Sequence, residues 1–282
     1  MIRVLRELPA LRAQVREWRA AGERVALVPT MGNLHAGHHA LMALARTRAE
    51  RVVASIFVNP TQFGPNEDYV RYPRTPEQDI AGLEAIGCDA VWLPTVETMY
   101  PDGPAQCVQL HVPGISDVLE GAHRPGHFDG VATVVARLFL QVQPDLAVFG
   151  RKDYQQLAVI RRLVRDLAFP LEVVDAPIVR EPDGLAMSSR NQYLSPAERA
   201  LAPAIHRTLQ AMRAAAQAGQ APAQVEADAC AALAAAGLVP DYAVLRRPDL
   251  SAPVPGERGP QVALIAAWLG RTRLIDNLEF EA

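Results

Sequence analysis

Val25-Ala26-Leu27-Val28-Pro29-Thr30-Met31-Gly32-Asn33-Leu34-His35-Ala36-Gly37-His38 is the stretch on which the fold turns. Its first four residues form an unbroken apolar run, the pattern of a short strand covered on both faces. Pro29 ends that run, because proline brings no amide hydrogen to a ladder. A helical pattern follows over residues 37–50. Residues 51–58, Arg-Val-Val-Ala-Ser-Ile-Phe-Val, are again nearly all apolar and read as a second strand. Strand, helix and strand at this spacing make a βαβ unit and imply a parallel sheet. His35 and His38 lie three residues apart, so both imidazoles leave the first helical turn on one side. That end of a helix carries open backbone N–H groups and a partial positive charge, a seat for phosphate. Gly32 and Gly37 let a ligand approach the main chain closely. Two imidazoles add donors where charge would grow if a nucleophile attacked the α-phosphate of a nucleotide. Solvated surface histidines and a metal site are the competing readings. No third ligand at a recognisable spacing supports the metal.

The chain has 282 residues, half of them hydrophobic, enough for one large or two ordinary domains with a sizeable core. A net charge of -3 gives no support for a nucleic-acid surface. Cys88, Cys107 and Cys230 are scattered and form no Cys-x-x-Cys, which suits reduced, packed thiols in a cytoplasmic protein. Charges interleave with the apolar residues of the N-terminus, unlike a secretory signal. The longest late apolar run, 262–269, is too short to span a bilayer.

Further polar turns follow the apolar strands. Asn59-Pro60-Thr61-Gln62 closes the second strand, and in open α/β sheets ligands bind beyond the carboxyl ends of strands. Asn59 and Gln62 therefore either hold a small polar substrate through their amides or serve ordinary turn chemistry. Asn66 opens a polar loop that runs to residue 76. A helix over 77–86, a strand over 90–93 and an alternating edge strand over 107–112 are expected next. His123, Arg124 and His127 precede an apolar helix over 131–142, where they meet an anion or merely cap and solvate the turn. Residues 146–149 repeat the first pattern: a buried strand, Gly150, the polar turn Arg151-Lys152-Asp153, and a helix over 154–167. Lys152 offers a point charge to phosphates. Asp153 accepts from ribose hydroxyls or caps the helix, and Gln155 and Gln156 lie on its first turn. A strand over 171–176 continues through 178–180 past Pro177. Ser188, Ser189 and Arg190 suit a phosphate chain or form a generic serine-rich loop. Ser195-Pro196-Ala197-Glu198 is a capping box that starts a helix. An alanine-rich helical region to residue 236 and strands over 240–245, 261–269 and 273–280 complete the chain. The fold expected is α/β, a Rossmann-like doubly wound parallel sheet over 1–190, with a smaller C-terminal α+β domain over 191–282.

His-x-Gly-His after a strand resembles the signature of the nucleotidylyltransferase superfamily. Together with Pro29-Thr30-Met31-Gly32-Asn33-Leu34, Ser55-Ile56-Phe57-Val58-Asn59-Pro60-Thr61-Gln62-Phe63-Gly64, Tyr72-Pro73-Arg74-Thr75, Phe149-Gly150-Arg151-Lys152-Asp153-Tyr154-Gln155-Gln156-Leu157 and Gly184-Leu185-Ala186-Met187-Ser188-Ser189-Arg190-Asn191, it makes nearly the whole chain resemble the pantothenate synthetase (pantoate–β-alanine ligase) family. The resemblance implies an AMP-forming ligase of pantothenate and coenzyme A biosynthesis. It would condense (R)-pantoate with β-alanine through a pantoyl adenylate, with ATP as co-substrate and Mg²⁺ carried on the ATP. It assigns His38, His35 and Lys152 to catalysis. Met31, Gly32, Asn33, Leu34, His35, Ala36, Gly37, His38, Gly150, Arg151, Lys152, Asp153, Val179, Met187, Ser188, Ser189 and Arg190 would bind ATP. Asn59, Gln62 and Gln156 would bind pantoate, with Gln62 also near β-alanine, and 187–190 would close over the site. Many relatives carry an acidic residue where this chain has Ala36 or Arg151. A homodimer is what the resemblance suggests; a cytoplasmic location without nucleic-acid or membrane partners is what the composition suggests, and no resident metal is expected. A nucleotidylyltransferase, a tRNA-binding relative and a catalytically silent binding protein are the alternatives. The first needs no amine acceptor, the acidic balance speaks against the second, and the intact histidines, Lys152 and Ser-Ser-Arg loop against the third.

Overall fold

The computed structural model describes residues 1–65 and 67–282, so Asn66 lies outside the described residues. It falls into two compact units, 1–151 with 156–177, and 152–155 with 178–282. The first unit runs β1 (Arg3–Leu5), α1 (Leu8–Ala20), β2 (Val25–Thr30), α2 (Ala36–Arg46), β3 (Arg51–Ile56), α3 (Pro76–Ala85), β4 (Ala90–Trp92), α4 (Val96–Met99), α5 (Glu120–His123), α6 (His127–Val142), β5 (Leu146–Gly150), α7 (Tyr154–Asp166) and β6 (Glu172–Ala176). Tyr154 and Gln155 of α7 go with the second unit. All six strands are parallel, in the order β1-β4-β3-β2-β5-β6.

Alternation along β2 explains the two covered faces. Val25 and Leu27 join the cluster built with Leu11 and Trp18 of α1, Phe139 of α6 and Leu157 of α7. Ala26 and Val28 join Met42 and Ala45 of α2 and Leu83 of α3. Successive side chains of a strand point to opposite faces, so a run apolar at every position is what a sheet sandwiched between two helix layers needs.

The second unit carries α8 (Pro196–Leu201), α9 (Ala204–Gln217), α10 (Pro222–Ala235) and an antiparallel sheet of β7 (Val239–Arg246), β8 (Pro260–Leu269) and β9 (Thr272–Glu281), in that order. Ile205, Leu209 and Met212 of α9 and Val225 and Leu233 of α10 pack on Ala263, Ile265 and Leu269 of β8. The capping box forms as the sequence requires: the Ser195 hydroxyl accepts from the Glu198 amide at 3.3 Å, and the Glu198 carboxylate accepts from the Ser195 amide at 2.7 Å.

Several sequence expectations are corrected. Pro29 does not end β2, which runs on to Thr30. Alternate residues of a strand send their backbone groups to opposite neighbours. Thr30 accepts from Phe57 on the β3 side, so Pro29 faces β5, whose pairing with β2 covers only Ala26 and Leu27. The missing N–H therefore breaks no ladder bond. Residues 107–112 form no strand; two of their amides go to side chains, Leu110 to the Thr133 hydroxyl at 2.9 Å and Val112 to Ser116 at 3.3 Å. β1 was not apparent from sequence, because a three-residue edge strand with exposed Arg3 carries no apolar run. α6 begins at His127 rather than 131, after Gly126 in the left-handed region at φ 79°. After Pro177 there is only an isolated bridge between Arg180 and Ala186. Within the second unit, which takes in 152–155 and 178–282, Arg180 is clamped to Asp276 of β9.

Candidate active site

In the first unit β2 leads through β3 to β4 on one side, while β5 leads to β6 on the other. The strand order reverses between β2 and β5, and ligands of doubly wound sheets bind at the carboxyl ends beside such a reversal. The loop of residues 31–35 leaves β2 there, and Gly150-Arg151 leaves β5.

His35 is the N-cap of α2, extended at φ -139° and ψ 176°. Its Nδ1 accepts from the Gly37 amide at 3.1 Å, and Nδ1 of His38 accepts from the His35 amide at 3.3 Å. The two imidazoles thus reproduce a capping box in which rings replace hydroxyl and carboxylate. Their centroids are 4.1 Å apart, tilted by 47°. Because both Nδ1 atoms accept from backbone N–H groups, each neutral ring carries its hydrogen on Nε2. The open N–H groups expected at this helix start are therefore partly occupied, and the rings supply the directed donors instead.

The loop before the helix is held from below. The Asn33 amide donates to Asp79 Oδ2 at 2.9 Å and the Leu34 amide to Asp79 Oδ1 at 2.8 Å. Asp79 is buried in the first turn of α3. Gly32 has φ +84°, and a Cβ there would stand 3.0 Å from both Asp79 Oδ2 and Ile56 Cγ2. Gly32 N bonds Thr30 Oγ1 at 3.3 Å, and that hydroxyl donates to Ser55 O at 2.8 Å. Asn33, at φ 52°, also occupies the left-handed region. The amides of Gly32, Asn33 and Leu34 are thereby taken up within the protein and fix the shape of the loop. Asp79 was not apparent from sequence, where it reads as an ordinary acidic residue of a first helical turn.

Beyond β3, Pro60–Gln62 forms a 3₁₀ turn capped by Asn59, which is 1 % exposed. Asn59 Oδ1 accepts from Tyr100 Oη at 2.6 Å and from the Thr61 amide at 3.3 Å. Asn59 Nδ2 donates to Gln62 Oε1 at 3.0 Å and to Gly130 O at 3.2 Å. Gln62 Nε2 in turn lies 3.2 Å from the Met31 sulfur. Asn59, Gln62 and Met31, picked from separate segments, meet in one network. Of the two sequence readings of Asn59, turn chemistry is seen directly: it caps the turn, and its Nδ2 also holds the Gln62 amide. Burial raises the Tyr100 pKa, so its hydroxyl stays a donor.

The Gln62 carbonyl is gripped separately. His127 Nδ1 lies 2.8 Å from it and Arg124 Nη2 3.4 Å. Arg124 Nη1 is 3.0 Å from His127 Nε2; a guanidinium only donates, so Nε2 accepts and the Nδ1 hydrogen goes to Gln62. Burial, and then the Arg124 charge, push the His127 pKa down to about 4. Arg124 also makes a two-point contact with Glu67 at 2.7 Å per bond. Burial pushes the Glu67 carboxyl up, but Arg124 outweighs it and holds it below the usual range. His127 and Arg124 thus support the Pro60–Gln62 turn from within rather than open toward an anion.

Gly150 ends β5, with Leu41 of α2 3.8 Å from where a Cβ would stand. Arg151 is paired with Asp175 of β6, which also meets Arg161 at 2.7 Å. Gln156 lies half-buried on α7.

In the second unit Lys152 Nζ lies 3.7 Å from Asp153 Oδ1, and the Lys152 carbonyl accepts from Asn277 Nδ2 at 2.9 Å. The Val179 carbonyl accepts from the Met187 amide at 3.0 Å. Ser188 caps the 3₁₀ turn Ser189–Tyr193, its hydroxyl accepting from the Arg190 amide at 3.2 Å. A hydroxyl that accepts still has its own hydrogen to donate. Asn191 Nδ2 ties the turn to Ala186 O at 3.0 Å.

A family model described as pantoate-beta-alanine ligase matches residues 3–279. The chain belongs to the pantoate-beta-alanine ligase family. Among relatives of this family, a pantothenate synthetase from Stenotrophomonas maltophilia (strain K279a) is 68% identical over 280 residues, covering 99% of this chain and 100% of that one. One from Xanthomonas euvesicatoria pv. vesicatoria (strain 85-10) is 65% identical over the same lengths. The crystal structure of a pantoate-beta-alanine ligase (pantothenate synthetase) from Thermus thermophilus superposes with a TM-score of 0.92 at 49% identity, covering 98% of this chain and 99% of that one. A pantoate-beta-alanine ligase from Francisella tularensis, solved in complex with beta-gamma ATP and beta-alanine, gives 0.82 at 31% identity, covering 99% and 97%.

Proposed function

We propose that this chain is a pantothenate synthetase, condensing pantoate with β-alanine at the expense of ATP, and that it works as a cytoplasmic homodimer. The observation that carries the activity is identity of 65–68% over nearly the full length to relatives of that name. The Francisella ligase structure holding a nucleotide and β-alanine supports the substrate classes.

In this reading a pantoate carboxylate oxygen attacks the α-phosphorus of ATP. A new O–P bond forms, the bond to the bridging oxygen breaks, and pyrophosphate leaves with its electron pair. The β-alanine amine then attacks the acyl carbon, AMP departs, and the nitrogen loses a proton. In-line placement and charge stabilisation supply most of the catalysis of such transfers. The Nε2 hydrogens of His35 and His38 are the donors for phosphate oxygens, with His38 the proton donor. Lys152, Ser188, Ser189 and Arg190 hold the phosphates. Met31, Gly150, Asp153 and Val179 line the adenosine, and Asn59, Gln62 and Gln156 bind pantoate. Mg²⁺ enters as part of the nucleotide substrate, on phosphate oxygens. Among the described residues no group of three or more His, Cys, Asp or Glu is arranged to hold a metal ion, and no helix is long and apolar enough to cross a membrane.

Exchange of labelled pyrophosphate into ATP tests the reading. Exchange that requires pantoate but not β-alanine is expected. Exchange indifferent to pantoate would make the chain a nucleotidylyltransferase of another acceptor. Sedimentation of the purified protein as a single chain, or as a particle larger than two chains, would reject the homodimer.

A further inference from the structure

Two adjacent polar residues sit in the middle of β9, Asp276 at 4% and Asn277 at 2% exposure. A carboxylate and an amide buried in a sheet are costly unless their partners are in place. Here both are engaged, and the partners lie beside the phosphate-binding candidates of the same unit. Asp276 holds Arg180 at two points, Nη1 to Oδ2 at 2.6 Å and Nη2 to Oδ1 at 3.0 Å. The same guanidinium donates to Gly184 O at 3.0 Å and to Asn277 O at 3.2 Å. Arg180 therefore closes the turn whose other end, through the bridge to Ala186, leads directly into Met187 and Ser188. Asp276 Oδ1 also accepts the Asn277 amide at 2.8 Å. The Asn277 side chain points to a different segment, donating from Nδ2 to the Lys152 carbonyl at 2.9 Å.

We infer that Asp276 and Asn277 are positioning residues for adenylation: one dipeptide of a rigid strand sets the main chain of Lys152 and the root of the Ser188-Ser189-Arg190 loop. The inference rests on the ligase reading above. A lysine is a point charge on a flexible stem, so what the fold can fix is the backbone from which it springs. Sites held on strands are more precise than sites left to loops, and a misplacement of about 1 Å can lower a rate by about 10²-fold. The pair thus couples two cationic segments to one support, and either residue can be changed without touching a group assigned to substrate.

The test is a double-mutant cycle in pantoate-dependent pyrophosphate exchange. Asn277→Ala should lower the turnover of adenylation about 10-fold or more while leaving the KM for pantoate unchanged. Placed in a Lys152→Ala background, it should cause little further loss, because the charge it positions is already gone. The same fold-loss in both backgrounds would mark Asn277 as merely structural and overturn the inference. If Asn277→Ala does not fold, Asn277→Ser, whose shorter side chain does not span to the Lys152 carbonyl, enters the same cycle. Failure of both to fold makes the pair a folding element and also overturns it. Lys152→Ala alone is the control on the ligase reading: unimpaired pantoate-dependent exchange there would remove Lys152 from the mechanism and the inference with it. A large Lys152 effect with an additive Asn277 effect would reject only the positioning role.

Discussion

The Tyr100 hydroxyl donates to Asn59 Oδ1 at 2.6 Å, and this bond, together with those from Thr61, sets which way the Asn59 amide faces. With Oδ1 occupied by Tyr100, Nδ2 is turned to Gln62 Oε1 and Gly130 O. Tyr100 is itself fixed, 1% exposed, with the Arg137 guanidinium 5.1 Å over its ring. Tyr100→Phe keeps the ring and removes the donor. Asn59 Oδ1 retains its bonds to Thr61, so stability should fall by only about 1 kcal/mol. The KM for pantoate should rise several-fold in steady-state assays, with the KM for ATP little changed. An unaltered pantoate KM would show that Gln62 is oriented without Tyr100.

Gly130 packs the start of α6 against the turn that bears Gln62. A Cβ at this position would lie 2.4 Å from Thr61 O and 2.7 Å from Gln62 N, both backbone atoms that cannot swing aside. Gly130→Ala should cost about 1–3 kcal/mol by overpacking and should weaken pantoate binding as well. Isothermal titration with pantoate, beside urea unfolding, separates the two effects. Wild-type values in both would mean that helix and turn part easily.

The two oxygens of Asp79 take one amide each from Asn33 and Leu34. Asp79→Ala leaves two N–H groups of the histidine loop without an acceptor, at about 1–3 kcal/mol for each buried group. Asp79→Asn keeps one carbonyl oxygen and should lose less. Adenylation rates should follow the same order. Equal unfolding midpoints for the two variants would contradict this account.

His127 makes stability depend on pH with a definite sign. Its folded pKa is about 4 against 6.5 for the ordinary imidazole. Between these values the unfolded chain holds a proton that the folded one does not, so stability falls as pH drops from about 6.5 toward 4. The loss approaches about 3 kcal/mol below that window. In His127→Asn, whose amide can still donate to Gln62 O, that part of the pH dependence should vanish. Urea unfolding of both proteins at pH 7.5 and 4.5 checks it; an identical slope in both would rule His127 out as the titrating group.

His38→Ala should reduce the rate of pantoate-dependent pyrophosphate exchange by about 10²–10³, the scale of one preorganised donor to developing charge. The Nδ1 bond from the His35 amide would be lost as well. His38→Asn, which can restore an acceptor near the Nδ1 position, should fold like the wild type yet remain slow. Full activity in His38→Asn would mean that His38 acts only as a cap.

Much of this was legible in one dimension. Val25-Ala26-Leu27-Val28 and residues 51–58 are apolar at nearly every position, and only a strand covered on both faces needs that, so the parallel sheet and its histidine turn could be read directly. Asn59 and Gln62 could be named because polar residues after such strands fall on the ligand side, while Met31 was named only by the family resemblance. The short edge strand β1 and the true extent of α6 escaped, because pairing with β4 and the left-handed Gly126 set them rather than local composition.

The order of residues by itself determined the family, the doubly wound core and the identity of the polar turns, since periodicity and motif are properties of neighbours along the chain. Tertiary structure alone decided which groups steady those turns. Asp79 lies 46 positions from Asn33, Tyr100 41 from Asn59, and Asn277 125 from Lys152. A hydrogen bond between such residues has no local signature, because it exists only after packing has removed water from both partners and left each with the other as its remaining match.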